Sequence, residues 1–516
     1  MKVPRKLLIV AAMCGLASPV VTVSGVRAES PVDGAGSTWS QIAVDQWRAD
    51  VARQGLVINF QGVGSTAGRA AYYQGQVDFA VSEIPFQAAL RDRNGNVAAD
   101  ETAQAANRPY AYMPIVAGGT AFMYNLKANG QRITDLQLSP TTLTKIFTGQ
   151  IVTWNDPAIV ADNPNRVMPP TRIKVVIRSD GSGTSAQFTA FMASQAPSDW
   201  SVLCQNASLG SNCPATSLYP DYPSSGFAAQ QYSDGVANFV AAPYNEGAIT
   251  YVEYGYAKER GFPVASIKNA SGAYTQPTAV NVSVALQGAR INDDGTQVLS
   301  GVYSNGDPRA YPVSSYSYMI VPTSEAAPFS ADKGPTLSNF ILYFLCAGQQ
   351  KAEQLGYAPL PKNLVQIGFD VVTRIPGHVE PPAIGSCANP TITGDFLVAK
   401  TAPATTMAPA ATGGSKTTGS AGAVPGATTT TILGQVPADG TTETTVVSDA
   451  ATGSGEETAE PIAVAPAGPA MATSTEIESS GSGISGVVYA LLIVMLLGIV
   501  ILPPVVAGKL RPSVKK

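Results

Sequence analysis

Short apolar runs, glycine-bearing turns and one-sided amphipathic stretches alternate along most of the chain. The run at 173–177 predicts a buried strand, Gly181 and Gly183 a tight turn, and 184–192, with Phe188 and Phe191 on one side, a helix. The same order appears earlier: 57–62 predicts a strand, Val63-Gly-Ser-Thr-Ala-Gly68 a glycine turn, 69–74 a helix, and 77–81 another strand. Gly34-Ala-Gly-Ser-Thr-Trp39 makes a third turn of this kind. Strands alternating with helices define an α/β class. The body, 29–394, is longer than one hydrophobic core usually serves, so two domains are expected.

The pattern changes at both ends. Met-Lys-Val-Pro-Arg-Lys followed by an apolar stretch, with Val26-Arg27-Ala28 before Glu29, reads as a secretory signal peptide at 1–28. Cys14 follows Met13, which departs from a lipoprotein signal. From 395 to 483 Thr, Ala, Gly, Ser and Pro dominate without apolar period, so a disordered linker is expected. A coil of that length has an end-to-end distance of about 50 Å. Residues 484–508 carry no charge, which is long enough for a transmembrane helix, and the basic tail 509–516 then faces the cytoplasm. The expected location is extracytoplasmic, anchored in the cytoplasmic membrane by that one helix.

Composition removes several kinds of chemistry. His378 is the only histidine, so histidine-based triads and multi-histidine metal sites have no material. No Cys-x-x-Cys pair exists, charged residues make up 13% and the net charge is -4, which leaves no thiolate zinc site and no nucleic-acid surface. No enzyme, metal or cofactor is expected. Ser65 and Ser182 lack a histidine base for a hydrolase. Cys204, Cys213, Cys346 and Cys387 remain after leader removal. In an exported chain their even number points to disulfides, with free thiols as the alternative. The short spacing favours Cys204 with Cys213, leaving Cys346 and Cys387 to tie the last helix to the end of the domain.

The stretch Val176-Ile-Arg-Ser-Asp-Gly-Ser-Gly-Thr-Ser-Ala-Gln-Phe188 holds the strongest chemical signal. A helix N-terminus presents unpaired N–H groups and the positive end of the macrodipole to an anion. Ser182 and Thr184 add hydroxyls, Arg178 a planar fork for two oxygens, and Asp180 a partner that orients the guanidinium.

Taken in order, Gly34-Ala-Gly-Ser-Thr-Trp, Asn59-Phe-Gln-Gly-Val-Gly-Ser-Thr-Ala-Gly, Val77-Asp-Phe-Ala-Val-Ser-Glu-Ile-Pro, Leu143-Thr-Lys-Ile-Phe-Thr-Gly-Gln-Ile-Val-Thr-Trp-Asn-Asp, Arg178-Ser-Asp-Gly-Ser-Gly-Thr-Ser and Gly247-Ala-Ile-Thr-Tyr-Val-Glu-Tyr resemble the phosphate-binding proteins of bacterial ABC importers. The resemblance runs from about 34 to 360. It implies a two-domain periplasmic-binding-protein fold, type II-like, whose lobes are joined by crossing hinge strands. Lobe I would take about 29–113 and 247–394, and lobe II about 114–246. Carried over residue by residue, phosphate contacts fall on Thr38, Trp39, Ser65, Glu83, Arg178, Ser182, Gly183 and Thr184, with Asp180 behind Arg178. Glu83 stands where the family has aspartate, and Trp39 where phenylalanine is common; the contact at Trp39 is expected from its backbone N–H. The segment 200–230 does not match. The implied function is an extracytoplasmic receptor that takes inorganic phosphate between its lobes and delivers it to ABC permease subunits. A membrane-anchored phosphate or oxyanion sensor with the same fold is the alternative.

Overall fold

The computed structural model describes residues 30–396 apart from 93 and 395. The leader at 1–28, the linker beyond Phe396, the apolar span at 484–508 and the basic tail lie outside the described residues. Among the described residues no helix is long and apolar enough to cross a membrane.

The chain opens with β1 (Val32–Gly36), α1 (Gln41–Ala52), β2 (Ile58–Gly62), α2 (Ser65–Tyr73) and β3 (Phe79–Ser82). Then come β4 (Tyr110–Asn125), α3 (Pro140–Phe147), β5 (Lys174–Arg178), α4 (Gly183–Gln195) and α5 (Pro197–Asn206). After these follow β6 (Ala228–Gln230), α6 (Tyr232–Ala241), β7 (Ala248–Glu253) and α7 (Tyr254–Glu259). β8 (Ser314–Pro322), α8 (Gly334–Leu345) and α9 (Lys362–Val372) complete the labelled elements. The helix expected at 69–74 begins earlier, at Ser65, because Gly64, with φ 84°, turns the chain directly into it.

The eight strands lie in the order β6-β5-β7-β4-β8-β3-β1-β2. β1 pairs parallel with β2 and β3, and β5 parallel with β6 and β7. Between these two parallel sets stand β4 and β8, both antiparallel to their neighbours. β4 pairs through Gly119 with β8 and from Thr120 onward with β7. All of β4 beyond Tyr110 is buried, as befits a strand covered on both faces.

This pairing corrects the expected lobe limits. The chain leaves the first set at 119–120 rather than near 113. It does not return at 247, because β7 is hydrogen-bonded to β5; it rejoins the first set at Ser314.

Aromatic packing fixes each half. In the first, Trp47 stacks on Phe344 with ring centroids 5.0 Å apart and donates its indole N–H to Gly348. In the second, Phe188 of α4 packs against Phe122, Phe147 and Tyr251, the ring of Phe147 at 4.9 Å edge-on. Burying each such ring contributes about 1.5–3 kcal/mol. It also locks α4 against β4, α3 and β7. Disulfides join Cys204 to Cys213 and Cys346 to Cys387. Cys346 ends α8, which is not the last helix, since α9 follows.

Candidate functional site

Four helix N-termini meet where the two halves touch. α1 follows Thr38, Trp39 and Ser40; α2 begins at Ser65; α4 begins at Gly183 behind Ser182; α6 begins at Tyr232. β1, β2 and β5 run in parallel sets whose C-terminal ends feed the first three of these turns, as ligand sites in open α/β sheets require.

Arg178, the last residue of β5, is 2% exposed. Its Nε donates to Asp180 Oδ1 at 2.7 Å and Nη2 to Oδ2, so the inner edge of the fork is fixed. Asp180 Oδ1 also accepts the Tyr232 N–H at 2.9 Å, tying the pair to α6. The outward N–H groups make longer bonds, Nη1 to Ser233 Oγ at 3.3 Å and the second proton of Nη2 to Thr38 Oγ1 at 3.2 Å. Behind the arginine, its own N–H donates to the Tyr251 hydroxyl, which also bonds Ser185 Oγ at 2.8 Å. Burial pushes that hydroxyl up to about 12, so it remains neutral.

Ser182 caps α4 by accepting the Ser185 N–H at 3.2 Å. Its neighbour Gly183 donates its N–H across the seam to Ser65 Oγ at 3.1 Å. Ser65 in turn donates to Glu83 Oε2 at 2.7 Å. Glu83 lies buried between the halves, with Oε1 on Ser317 Oγ at 2.9 Å, and its carbonyl accepts from Gln187 of α4. A Cβ at Gly183 would lie 2.1 Å from Glu83 Oε2, so only glycine allows this approach. Thr184 is buried and its hydroxyl has no hydrogen-bond partner. A buried polar atom left so costs about 1–3 kcal/mol until something bonds it.

Thr38 belongs to the first half but bonds into the second: its Oγ1 lies 2.9 Å from Ser233 Oγ and accepts the Ser233 N–H. Tyr256 of α7 donates to the Thr38 carbonyl and Tyr357 to that of Trp39, which fixes this turn from behind. The Trp39 N–H donates to Ser37 Oγ at 3.0 Å, so the amide expected to face a ligand is engaged locally. Its ring is buried, edge-on to Tyr357. Glu253, at the end of β7, is fully buried, and burial holds its carboxyl well above the ordinary range despite a bond from the Gly255 N–H.

All eight expected contact residues therefore lie in one region, with Asp180 behind the arginine. Sequence reading missed Ser233, Ser317, Ser40 and Tyr251. A helix-start signal at Gln231-Tyr-Ser-Asp was present for the first of them; Ser40 directly follows the glycine turn ending at Trp39, Tyr251 lies within Gly247-Ala-Ile-Thr-Tyr-Val-Glu-Tyr, and Ser317 lies in the run Ser314-Ser-Tyr-Ser-Tyr318. The unmatched segment also reaches the site: Ser217 accepts the Ser182 N–H at its carbonyl, and its hydroxyl bonds Thr66 of the first half. Outside it, a cavity of about 340 Å³ opens between the hairpin at 90–99 and the loop closed by Cys204 and Cys213.

Two α/β halves sharing a crossing strand and meeting at a buried polar seam are the architecture of periplasmic-binding proteins. The family model described as a PBP superfamily domain matches residues 22–347, and the chain belongs to that superfamily. Among its relatives, the phosphate-binding protein PstS of Xylella fastidiosa strain Temecula1 is 30% identical over 340 residues, covering 65% of this chain and 83% of that protein. Phosphate-binding protein PstS 2 of Mycobacterium tuberculosis is 29% identical over 336 residues, 64% of this chain and 82% of that protein. The crystal structure of a DING protein shares the fold, with a TM-score of 0.50 at 19% identity over 68% of this chain and all of that one.

Proposed function

We propose that this chain is an extracytoplasmic receptor that binds inorganic phosphate between its two halves and delivers it to an ABC permease. The observation that carries this reading is the pairing of convergent donors with one buried acceptor. Arg178 offers one long, weak bond on each outer nitrogen, Thr184 an unpartnered hydroxyl, and the start of α4 the positive end of its dipole, all suited to tetrahedral oxygens. Glu83 supplies the opposite polarity. A carboxylate only accepts, so it suits a ligand that still has an O–H, as phosphate does at neutral pH and sulfate does not. A site built to bond a hydroxyl rejects an analogue lacking it by as much as about 10⁴-fold. The names of the relatives agree with this ligand.

Export through 1–28 and tethering by 395–483 and 484–508 complete the proposal, giving a receptor held at the membrane by a long leash. Co-purification with permease subunits distinguishes this from a sensor that shares the fold. The binding site is tested by calorimetry with phosphate and sulfate near neutral pH. Phosphate heat without sulfate heat, abolished in Arg178→Ala, is the expected result. Equal binding of both anions would sink the assignment of Glu83.

A further inference from the structure

The two oxygens of Glu83 are used differently. Oε2 faces Ser65 and the Gly183 turn, whereas Oε1 accepts from Ser317 at 2.9 Å. Ser317 is completely buried in β8, and its Oγ lies 3.1 Å from Ser40 Oγ. A hydroxyl has one proton to donate, and the stronger bond is the one to a carboxylate. Ser317 is placed to donate to either neighbour, and its proton goes to Glu83 with the Ser40 hydroxyl packed beside it. Ser40 occupies the N-cap of α1 but makes no capping bond, although serine there ordinarily accepts a backbone N–H of the first turn. Its side chain is turned to Ser317 instead.

The backbone supports the same arrangement. The ladder between β8 and β4 slips between Ser317 and Tyr318, opposite Val116 and Pro114. Pro114 has no N–H to give a regular ladder, and a bulge re-aims the side chains beside it.

We propose that Ser317 is a positioning residue that holds Glu83 by Oε1 and so keeps Oε2 turned toward Ser65 and the start of α4, where a ligand hydroxyl would meet it. It thereby sets the preference for a protonated tetrahedral oxyanion over a fully ionised one. Ser65 completes the scheme by proton count: its one proton serves either Oε2 or a ligand oxygen, and a ligand O–H on Oε2 releases it for the latter. This inference rests on the phosphate-receptor reading.

The test is a double-mutant cycle on the full chain, with phosphate and sulfate affinities measured by calorimetry for the unmodified protein, Ser317→Ala, Glu83→Ala and the pair. Ser317→Ala is expected to weaken phosphate by about tenfold or more, the worth of one hydrogen bond to a charged group. Sulfate should change much less, so the ratio between the anions narrows. In the Glu83→Ala background the same substitution should alter phosphate affinity by less than about twofold. Equal losses for both anions, or a loss that persists without Glu83, would overturn the inference. Should Ser317→Ala not fold, Ser317→Cys takes its place, its weak S–H donor still narrowing the ratio, and an unchanged ratio overturns the inference. An unmodified chain that binds no phosphate defeats the receptor reading itself, whereas normal binding that Ser317→Ala leaves intact defeats only this inference.

Discussion

Replacing Gly183 by alanine should separate closure of the cleft from folding of the chain. A Cβ at this position would stand 2.1 Å from Glu83 Oε2 and 2.7 Å from Ser65 Oγ, both in the opposite half. Neither neighbour can simply swing away, because Glu83 is held by Ser317 and Ser65 by Glu83. Carbon and oxygen settle at about 3.3–3.6 Å, so the halves must part by about 1 Å at the start of α4. Within its own helix the substitution is mildly favourable, since glycine costs about 1 kcal/mol relative to alanine. The donors on α4 and the acceptor on Glu83 would then face a ligand about 1 Å out of place, a displacement that costs on the order of 10²-fold. Phosphate affinity is therefore expected to fall by about that factor while the melting temperature holds or rises. Calorimetric titration and scanning calorimetry on one preparation read both quantities. A dissociation constant within about twofold of the unmodified chain, the scatter of such comparisons, would refute the reasoning.

Three further outcomes are expected. Glu83→Gln keeps the shape but adds donors, so the ratio of phosphate to sulfate affinity measured by competition should shrink by at least about tenfold. Glu253 is raised above its ordinary 4.5, so its contribution to stability is full below that pH and is lost as pH rises toward the folded value. Glu253→Gln cannot ionise, and its advantage over the unmodified chain in urea melts should grow with pH above about 4.5; a pH-independent difference would contradict the burial argument. Removing the Cys346–Cys387 bridge, which spans 41 positions, should destabilise by about 4 kcal/mol, against about 2.7 kcal/mol for Cys204–Cys213, which spans 9. Denaturant titration of the two double-alanine variants gives the order.

The Arg178 cradle was legible because its parts are contiguous: strand, turn and helix follow one another within a dozen residues, and each has a local signal. Ser65 and Thr38 were legible for the same reason. The crossing strand was not. Pro114, Gly118 and Gly119 within Tyr110–Asn125 read locally as breaks. In the fold Pro114 sits at the ladder slip, and the glycines sit where Trp39, Tyr311 and Pro277 press against the backbone closely enough to exclude a Cβ. Ser233 escaped notice because its helix-start signal names no partner, and Ser317 because nothing beside it in the chain explains it. Their partners, Thr38 and Glu83, are 195 and 234 positions away, and only the pairing of β8 with β4 and the seating of α6 bring them together.

β4 changes partner between Gly119 and Thr120 without a gap, so the two halves are opposite ends of one hydrogen-bonded ribbon. The ribbon is interrupted only by the slip at Ile115, between Val116 and Pro114. Beyond that ribbon the halves are held to each other by a few contacts facing across the seam, Gly183 on Ser65, Thr38 on Ser233 and Gln187 on Glu83, so single small residues carry a junction between segments more than a hundred positions apart.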